Sequence, residues 1–407
     1  MMQFTLLAVI LGLSTSRMAL ALVPDQTHEL AGRAICTPTS GGSPATDDTP
    51  AIAAAIQSCG AGGTIVIPPG RTYYFNTQLA FAGCANCDFQ LEGTLKFTSS
   101  TSYWNGKKYM IYIQAITKAR FRSLTGTGLI DGNGQDSYDF FATDNTYKRP
   151  TGMRISGSTG VTVSGFKVKN TPSGWLSVEG GSVDTSISNI GFSAVSKSSN
   201  RAKNTDGYDI GKSTYTTLSN LAVNNDDDCV AFKPGANYVS IDTISCNGSH
   251  GISVGSLGGT LGQTDSVTNI YVKNAAMSNS AKSAGIKIWP GQYGSAIVRN
   301  VTWDTVTVDN DGYTAEIQQC CGVSASSSDC LGNPSPASIT DVYFKNFKGT
   351  TSTKYEPVVA NLNCPGSGTC DIYFSNFAVN PPTGTAKFLC ANVDSTPGIT
   401  CSSGANS

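Results

Sequence analysis

Between residues 204 and 291 the chain reads N-T-D-G-Y-D at 204–209, D-D-D-C at 226–229, G-S-H-G at 248–251 and G-I-K at 285–287. Asp206 to Asp228 is 22 residues, and Asp228 to His250 is 22 again. In a chain of short strands and turns, an equal step between ionisable residues stacks them one above another on successive coils. The resulting ladder carries carboxyls, an imidazole and an ammonium on one face. Cleaving the link between two sugars needs a protonated carboxyl for the leaving oxygen. It also needs an ionised carboxyl to activate water or attack the ring. Clustering serves both roles, because ionising one carboxyl raises the pKa of its neighbour.

Other readings compete for the same residues. Clustered aspartates suit a hard cation such as calcium, and Asp226, Asp227 and Asp228 together can form a solvated turn. His250 favours acid–base chemistry. It is one of two histidines, it sits in the glycine-rich run CNGSHGISVGSLG (246–258), and it falls one step beyond Asp228. An imidazole beside carboxylates can hold the acid's proton and tune its pKa. Asn247-Gly248-Ser249 and Asn300-Val301-Thr302 are glycosylation sequons. A glycan on Asn247 would lie at the proposed site, so that position is expected to stay bare, leaving Asn300 as the candidate. Lys287 comes 37 residues after His250, which fits one coil with an inserted loop. It either neutralises acids or holds an acidic sugar's carboxylate as a point charge. Trp289 can stack on a sugar ring or simply pack.

The elements that must position these groups are repetitive from about residue 120. VTVSGFKVKN (161–170), TSISNIGFSAVS (185–196), TTLSNLAVNN (216–225), YVSIDTISCN (238–247), VTNIYVKNAAMSN (267–279), IVRNVTWDTVTVDN (297–310), ITDVYFKNFKG (339–349) and IYFSNFAVN (372–380) share one form. Each is a short alternating strand, a bend at Asn, Asp or Gly, and another short strand, mostly 22–29 residues apart. One such coil cannot bury its apolar face alone, so stacked coils, a β-solenoid, are expected. The repeated asparagines would sit at bends that need the left-handed conformation. A sandwich is the rival fold, but sandwiches rarely hold one spacing over so many repeats. Earlier strands are expected at Thr64–Ile67, Tyr73–Phe75, Phe89–Leu91, Thr94–Phe97 and Tyr109–Gln114. Near the N-terminus only 49–59 looks helical, with a Thr49-Pro50 start and Cys59-Gly60 end; it would cap the open ladder.

Phe4 to Thr15 is a 12-residue apolar run, short of the roughly 20 that span a bilayer. Ala19-Leu20-Ala21 after it reads as a cleavage pattern. Residues 1–21 are therefore expected to be a signal peptide and 22–407 a single secreted domain; a buried helix is the alternative for the leader. Charged residues are 14% of the chain and the net charge is −1, which argues against nucleic-acid and membrane-surface partners. A monomer is expected. Thirteen cysteines in an exported chain imply disulfides. Near neighbours suggest Cys36 with Cys59, Cys84 with Cys87, Cys229 with Cys246, Cys364 with Cys370 and Cys390 with Cys401. Cys84-x-x-Cys87 could be a redox motif, though a small structural bridge suits this chain better. His28 and His250 are too few for a zinc site. Cys320 and Cys321 compete for Cys330, leaving one thiol.

NTDGYD, DDDC, GSHGISVGS and G-I-K resemble, in order and spacing, the four signature segments of glycoside hydrolase family 28, the polygalacturonases and relatives. GTGLIDGNG (126–134) resembles an upstream segment of that family, so the likeness runs through essentially the whole mature chain. DDDCVAFKPG, GSHGISVGSLG and the G-I-K form look most like fungal xylogalacturonan hydrolases, with exo-polygalacturonases next. The resemblance implies a right-handed parallel β-helix and hydrolysis of α-1,4 galacturonosyl linkages in pectin with inversion. It implies no metal or organic cofactor. By motif, Asp227 matches the general acid, Asp206 and Asp228 the carboxylates that activate water, and His250 the acid's assistant. Lys287 would bind a galacturonate carboxylate, with Asn204 and Gly285 completing the expected substrate-binding set.

Two departures matter. Gly285-Ile286-Lys287 stands where the family typically carries R-x-K. Losing the guanidinium removes a bidentate carboxylate clamp and removes bulk, so a roomier subsite admitting a xylose branch is expected. In IQQCC (317–321), Cys321 stands where relatives often show tyrosine, which makes it the candidate free thiol. Coils about 4.8 Å apart do not by themselves give the roughly 6.5–9.5 Å carboxyl separation usual for inversion. A calcium-dependent pectate lyase and a non-catalytic carbohydrate-binding solenoid are the other readings. Whether cleavage is internal or from an end depends on loops.

Overall fold

Asparagine sets the geometry of the coils. The computed structural model describes residues 33–324 and 326–405; the expected signal peptide and His28 lie outside the described residues. Within long strands, left-handed residues recur every five positions, as at Asn269, Asn274 and Asn279, or Asn300, Thr305 and Asn310. Each turns the strand by a corner without ending its ladder. Their side chains then bond along the axis: Nδ2 of Asn300 donates to Asn269 (2.8 Å), and Nδ2 of Asn310 to Asn279 (2.8 Å). Bends repeated on every coil stack, and a stack of identical bends is a solenoid.

The result is a right-handed parallel β-helix, the hand that parallel crossovers take. All strand pairs named here are parallel. One sheet joins the long bent strands, such as Ser182–Ser193, Ser213–Asn224 and Ala236–Asn247. A second sheet of mostly short strands runs alongside it. Ile, Val, Leu and Phe from both form one continuous core from Ile52 to Val379. Ala34–Ser407 is one compact unit. Among the described residues no helix is long and apolar enough to cross a membrane.

The helix Thr49–Cys59 forms where expected, with Ile52, Ala55 and Ile56 buried, and packs on the first strands of both sheets. Its cap position is Asp48 rather than Thr49, and the Thr49 N–H donates to Asp47 instead (3.1 Å). A further helix, Gln135–Thr143, is short and polar on average and buries only Ser137 and Tyr138, which left it unmarked in sequence. Later coils are longer than the 22–29 expected, with 32 residues from Ile252 to its partner Ala284, because loops are inserted between strands. The five expected disulfides form, Cys320 bonds Cys330, and Cys321 is free.

Asp311 lies fully buried beneath these coils, accepting from the Ser280 N–H (2.8 Å) and the Ser283 hydroxyl (2.6 Å). Burial outweighs both bonds and pushes its carboxyl up to about 6. A raised folded-state value means the unfolded chain releases its proton first. Stability therefore falls as pH rises from about 4 to about 6, by roughly 3 kcal/mol in all. Asp311→Asn is expected to remove that slope, as read from urea midpoints at pH 4 and pH 7.

Candidate active site

Five strands of the second sheet carry the site: β1 Tyr208–Ile210, β2 Val230–Phe232, β3 Ile252–Leu257, β4 Lys282–Ile288 and β5 Tyr313–Gln318. Tyr208 pairs with Val230, Val230 with Ile252, Ile252 with Ala284, and Lys282 with Tyr313. Two residues before the first three stand Asp206, Asp228 and His250, so the 22-residue ladder exists. The rung after His250 is Lys282, however, and not Lys287 as expected. The 32-residue coil shifts the count, and Lys287 instead aligns with Gly255 at the other end of β4. Ala284, Ile286 and Ile288 fill the core, so Gly285 and Lys287 face outward by strand alternation.

Asp206, Asp227 and Asp228 come together, each with a carboxylate oxygen within 4.8 Å of the others'. Asp228 is only 1% exposed. Its oxygens accept from Lys287 Nζ (2.5 Å) and the Ser253 hydroxyl (3.1 Å). Asp227 accepts from the Asn204 amide (3.2 Å) and the Asp228 N–H (2.8 Å), and its Oδ1 lies 3.2 Å from His250 Nδ1. Asn204 holds a left-handed φ of 56°, and its Oδ1 accepts from the Arg149 guanidinium (2.8 Å). Lys233 reaches Asp206 (3.6 Å) and Asp209 (3.3 Å) from below. Asp226, the first of the three aspartates, pairs with Arg201 and stays outside the cluster.

The electrostatics separate the carboxyls. Burial, then the charges of Asp209 and Asp227, push Asp206 well above the carboxylate range. Burial also pushes Asp227 upward, but the His250 hydrogen bond and charge, the Asp228 N–H and Lys287 outweigh it and hold it at about 2. Burial and the neighbouring acids thus favour the protonated form of Asp206, and burial does the same for Asp209 beside it. Lys287 pairs with Asp228, and Lys233 lies within reach of both Asp206 and Asp209, so the cluster carries cations of its own. Activity is accordingly expected to survive a chelator unchanged; loss of activity restored by calcium would show that the three acids work around a metal.

Two expectations need correcting. The space over Gly285 is not open: a Cβ there would lie 2.5 Å from Lys282 Cε and 2.6 Å from its Cδ. The lysine stem fills the room the glycine leaves. Asn247 does not reach the carboxylates. Its side chain bonds Asn224, Ser278 and Asn279 on the outer face of the long-strand sheet. There it lines a shallow groove of about 510 Å³ with Lys167 and Lys169, so the site gives no reason for it to stay bare.

Arg149, Asp209, Lys233 and Ser253 were missed by sequence reasoning. Arg149 depends on the unmarked helix Gln135–Thr143: its guanidinium lies 3.6 Å over the Phe141 ring and donates to the carbonyls of Pro172 (3.1 Å) and Lys203 (2.6 Å). Ser253 was findable, since it follows His250 by three on an alternating strand.

A parallel β-helix with an outward cluster of three carboxyls, one imidazole and paired lysines defines a glycoside hydrolase. The model of glycosyl hydrolases family 28 matches residues 59–402. The chain is 53% identical to the probable endo-xylogalacturonan hydrolase A of Aspergillus flavus over 94% of its length and 93% of that protein's. The crystal structure of endo-xylogalacturonan hydrolase from Aspergillus tubingensis superimposes with a TM-score of 0.90 at 53% identity, covering 92% of this chain and 100% of that one. The polygalacturonase of Erwinia carotovora, at 17% identity, shares the fold with a TM-score of 0.67 over 89% of this chain and 97% of that one. The chain belongs to glycoside hydrolase family 28.

Proposed function

We propose that this protein is a secreted xylogalacturonan hydrolase that cuts within xylose-substituted galacturonan. The observation that carries this reading is identity of 52–53% over 94% of the chain to relatives named endo-xylogalacturonan hydrolase. Six disulfides suit an oxidising compartment. We read 22–407 as one catalytic domain acting as a monomer, with Asn300, which is exposed, as a glycan site.

Asp227 donates the proton to the leaving oxygen, and Asp206 and Asp228 orient and activate water. The free site withholds Asp227's proton because His250 and Lys287 favour its anion. A galacturonate carboxylate settling on Lys287 and near His250 takes up that positive charge and raises Asp227 toward a working acid. Asn204, held by Arg149, keeps the Asp227 carboxyl aimed while its charge changes.

Proton NMR of the first product tests the stereochemical part: inversion releases the β anomer, and an α anomer as first product refutes it. Sizing early products tests the mode. A spread of oligomers supports internal cleavage, and exclusive release of one short product supports an end-acting enzyme. Unsaturated products absorbing in the ultraviolet would replace hydrolysis by a lyase reaction.

A further inference from the structure

Two charged side chains at the cluster take no part in its proton transfers. Asp209 lies on β1, three residues past Asp206, and Lys233 follows directly after β2. The Lys233 N–H donates to the Ile210 carbonyl (2.8 Å), which fixes its backbone beside β1. Phe232 fills the core, so Lys233 faces outward by strand alternation. Its ammonium reaches back to both acids, 3.3 Å from Asp209 and 3.6 Å from Asp206. Asp209 Oδ1 is sealed from solvent and accepts no well-aligned hydrogen bond, so its charge depends on this lysine.

The three groups pull against one another. Burial lowers the Lys233 pKa, but Asp209 first and Asp206 second more than reverse it, so the ammonium keeps its charge. Asp209, Asp227 and Asp228 push Asp206 upward, and Lys233 pulls it down. Other charges face the trio. Asp227 and Asp228 are partnered by His250 and Lys287, and Lys233 also faces Asp228 and Lys287. Arg149 faces Asp206 from its loop. Tyr109 faces Asp209 and is tied, with Arg154, to Glu179.

Asp206 must arrive as an anion and take a proton from the attacking water. The water oxygen bonds the sugar carbon meanwhile, and the leaving oxygen departs with the proton of Asp227. Such a base must be strong enough to take that proton yet free of it at the working pH. We propose that Lys233 and Asp209 are positioning residues that act through Asp206: Lys233 steadies its anion, and Asp209 takes a share of Lys233's charge. This rests on the water-activating role given to Asp206 above. Lys233 without Asp209 makes a weak base, and Asp209 without Lys233 makes a base that stays protonated.

The two charges must therefore move the pH dependence in opposite directions. The readout is the acid limb of kcat/KM on xylogalacturonan, where activity appears as Asp206 ionises; comparing variants on one polymer cancels the titration of the sugar carboxylates. Lys233→Met is expected to move that limb to higher pH by on the order of one unit, and Asp209→Asn to lower pH by about as much. The double variant, Lys233→Met with Asp209→Asn, is expected within about half a unit of wild type, and Lys233→Arg is expected to keep the limb in place. Circular dichroism identifies any variant that fails to fold, and either single variant suffices for the sign. Folded variants whose acid limb does not move overturn the proposal. So does a rise in KM at an unmoved limb, which would make Lys233 a substrate contact. Asp206→Asn separates the two failures. If it keeps wild-type activity, the role given to Asp206 is wrong; if it is inactive while the limb ignores Lys233 and Asp209, only the present proposal falls.

Discussion

Asp227→Asn is expected to lower kcat on the order of 10²–10⁴-fold while KM changes little. General acid help at a poor leaving group is worth about that much. The variant keeps the shape and the Asn204 contact but cannot deliver a proton. Binding should survive because Lys287, Asn204 and Arg149 stay where they are. Isothermal titration with an oligomer gives the binding half of the result, and initial rates give the other. If the variant retains more than a tenth of wild-type rate, the acid is another group, and Asp206 is next, since burial and its acidic neighbours favour its protonated form. A wild type that binds pectin fragments but never cleaves them would make the solenoid a binding module.

Lys287→Met carries the second large effect, on folding as well as on activity. Lys287 is 16% exposed at its side chain and Asp228 1%, with 2.5 Å between them. Removing one partner of a buried pair strands the other charge and typically costs about 3–5 kcal/mol. Burial lowers the Lys287 pKa, but Asp228 more than reverses this, so the folded value is raised. Its contribution is therefore complete below the unfolded lysine value, about 10.4, and is lost as pH climbs through the folded value. Thermal unfolding at pH 7 should show a large drop for the variant, and its stability should lack that alkaline decline. A melting temperature within a degree or two of wild type would mean that Asp228 does not depend on this lysine. The double variant Lys287→Met with Asp228→Asn should regain much of the stability, but not the activity.

These effects show which parts of the molecule could be read from its letters. The coil repeat was legible because the same strand, bend and strand recur along the chain with asparagine at the bend, a residue that also suits a left-handed corner, and the disulfides were legible because their cysteines are near neighbours in sequence. The rungs Asp206, Asp228 and His250 followed from equal spacing alone. Lys282 did not, because an inserted loop changed the count to 32 and made Lys287 look like the next rung. Lys287 reaches the cluster anyway, through its length, from a different row. Arg149 was invisible: it acts from a loop more than fifty residues upstream, positioned by a short and largely polar helix. Gly285 was noticed for the right reason and misread, since the room it leaves is taken by a residue three positions earlier on its own strand. A missing side chain in sequence is not a vacancy in space.

The central claim is that the family 28 machinery here serves a xylose-bearing backbone. Initial hydrolysis rates of wild-type protein on xylogalacturonan and on the same polymer stripped of xylose test it most directly. The account predicts a higher kcat/KM on the branched polymer, with xylose-bearing oligomers among the first products. Equal or faster cleavage of the stripped polymer would contradict it and make the protein a polygalacturonase.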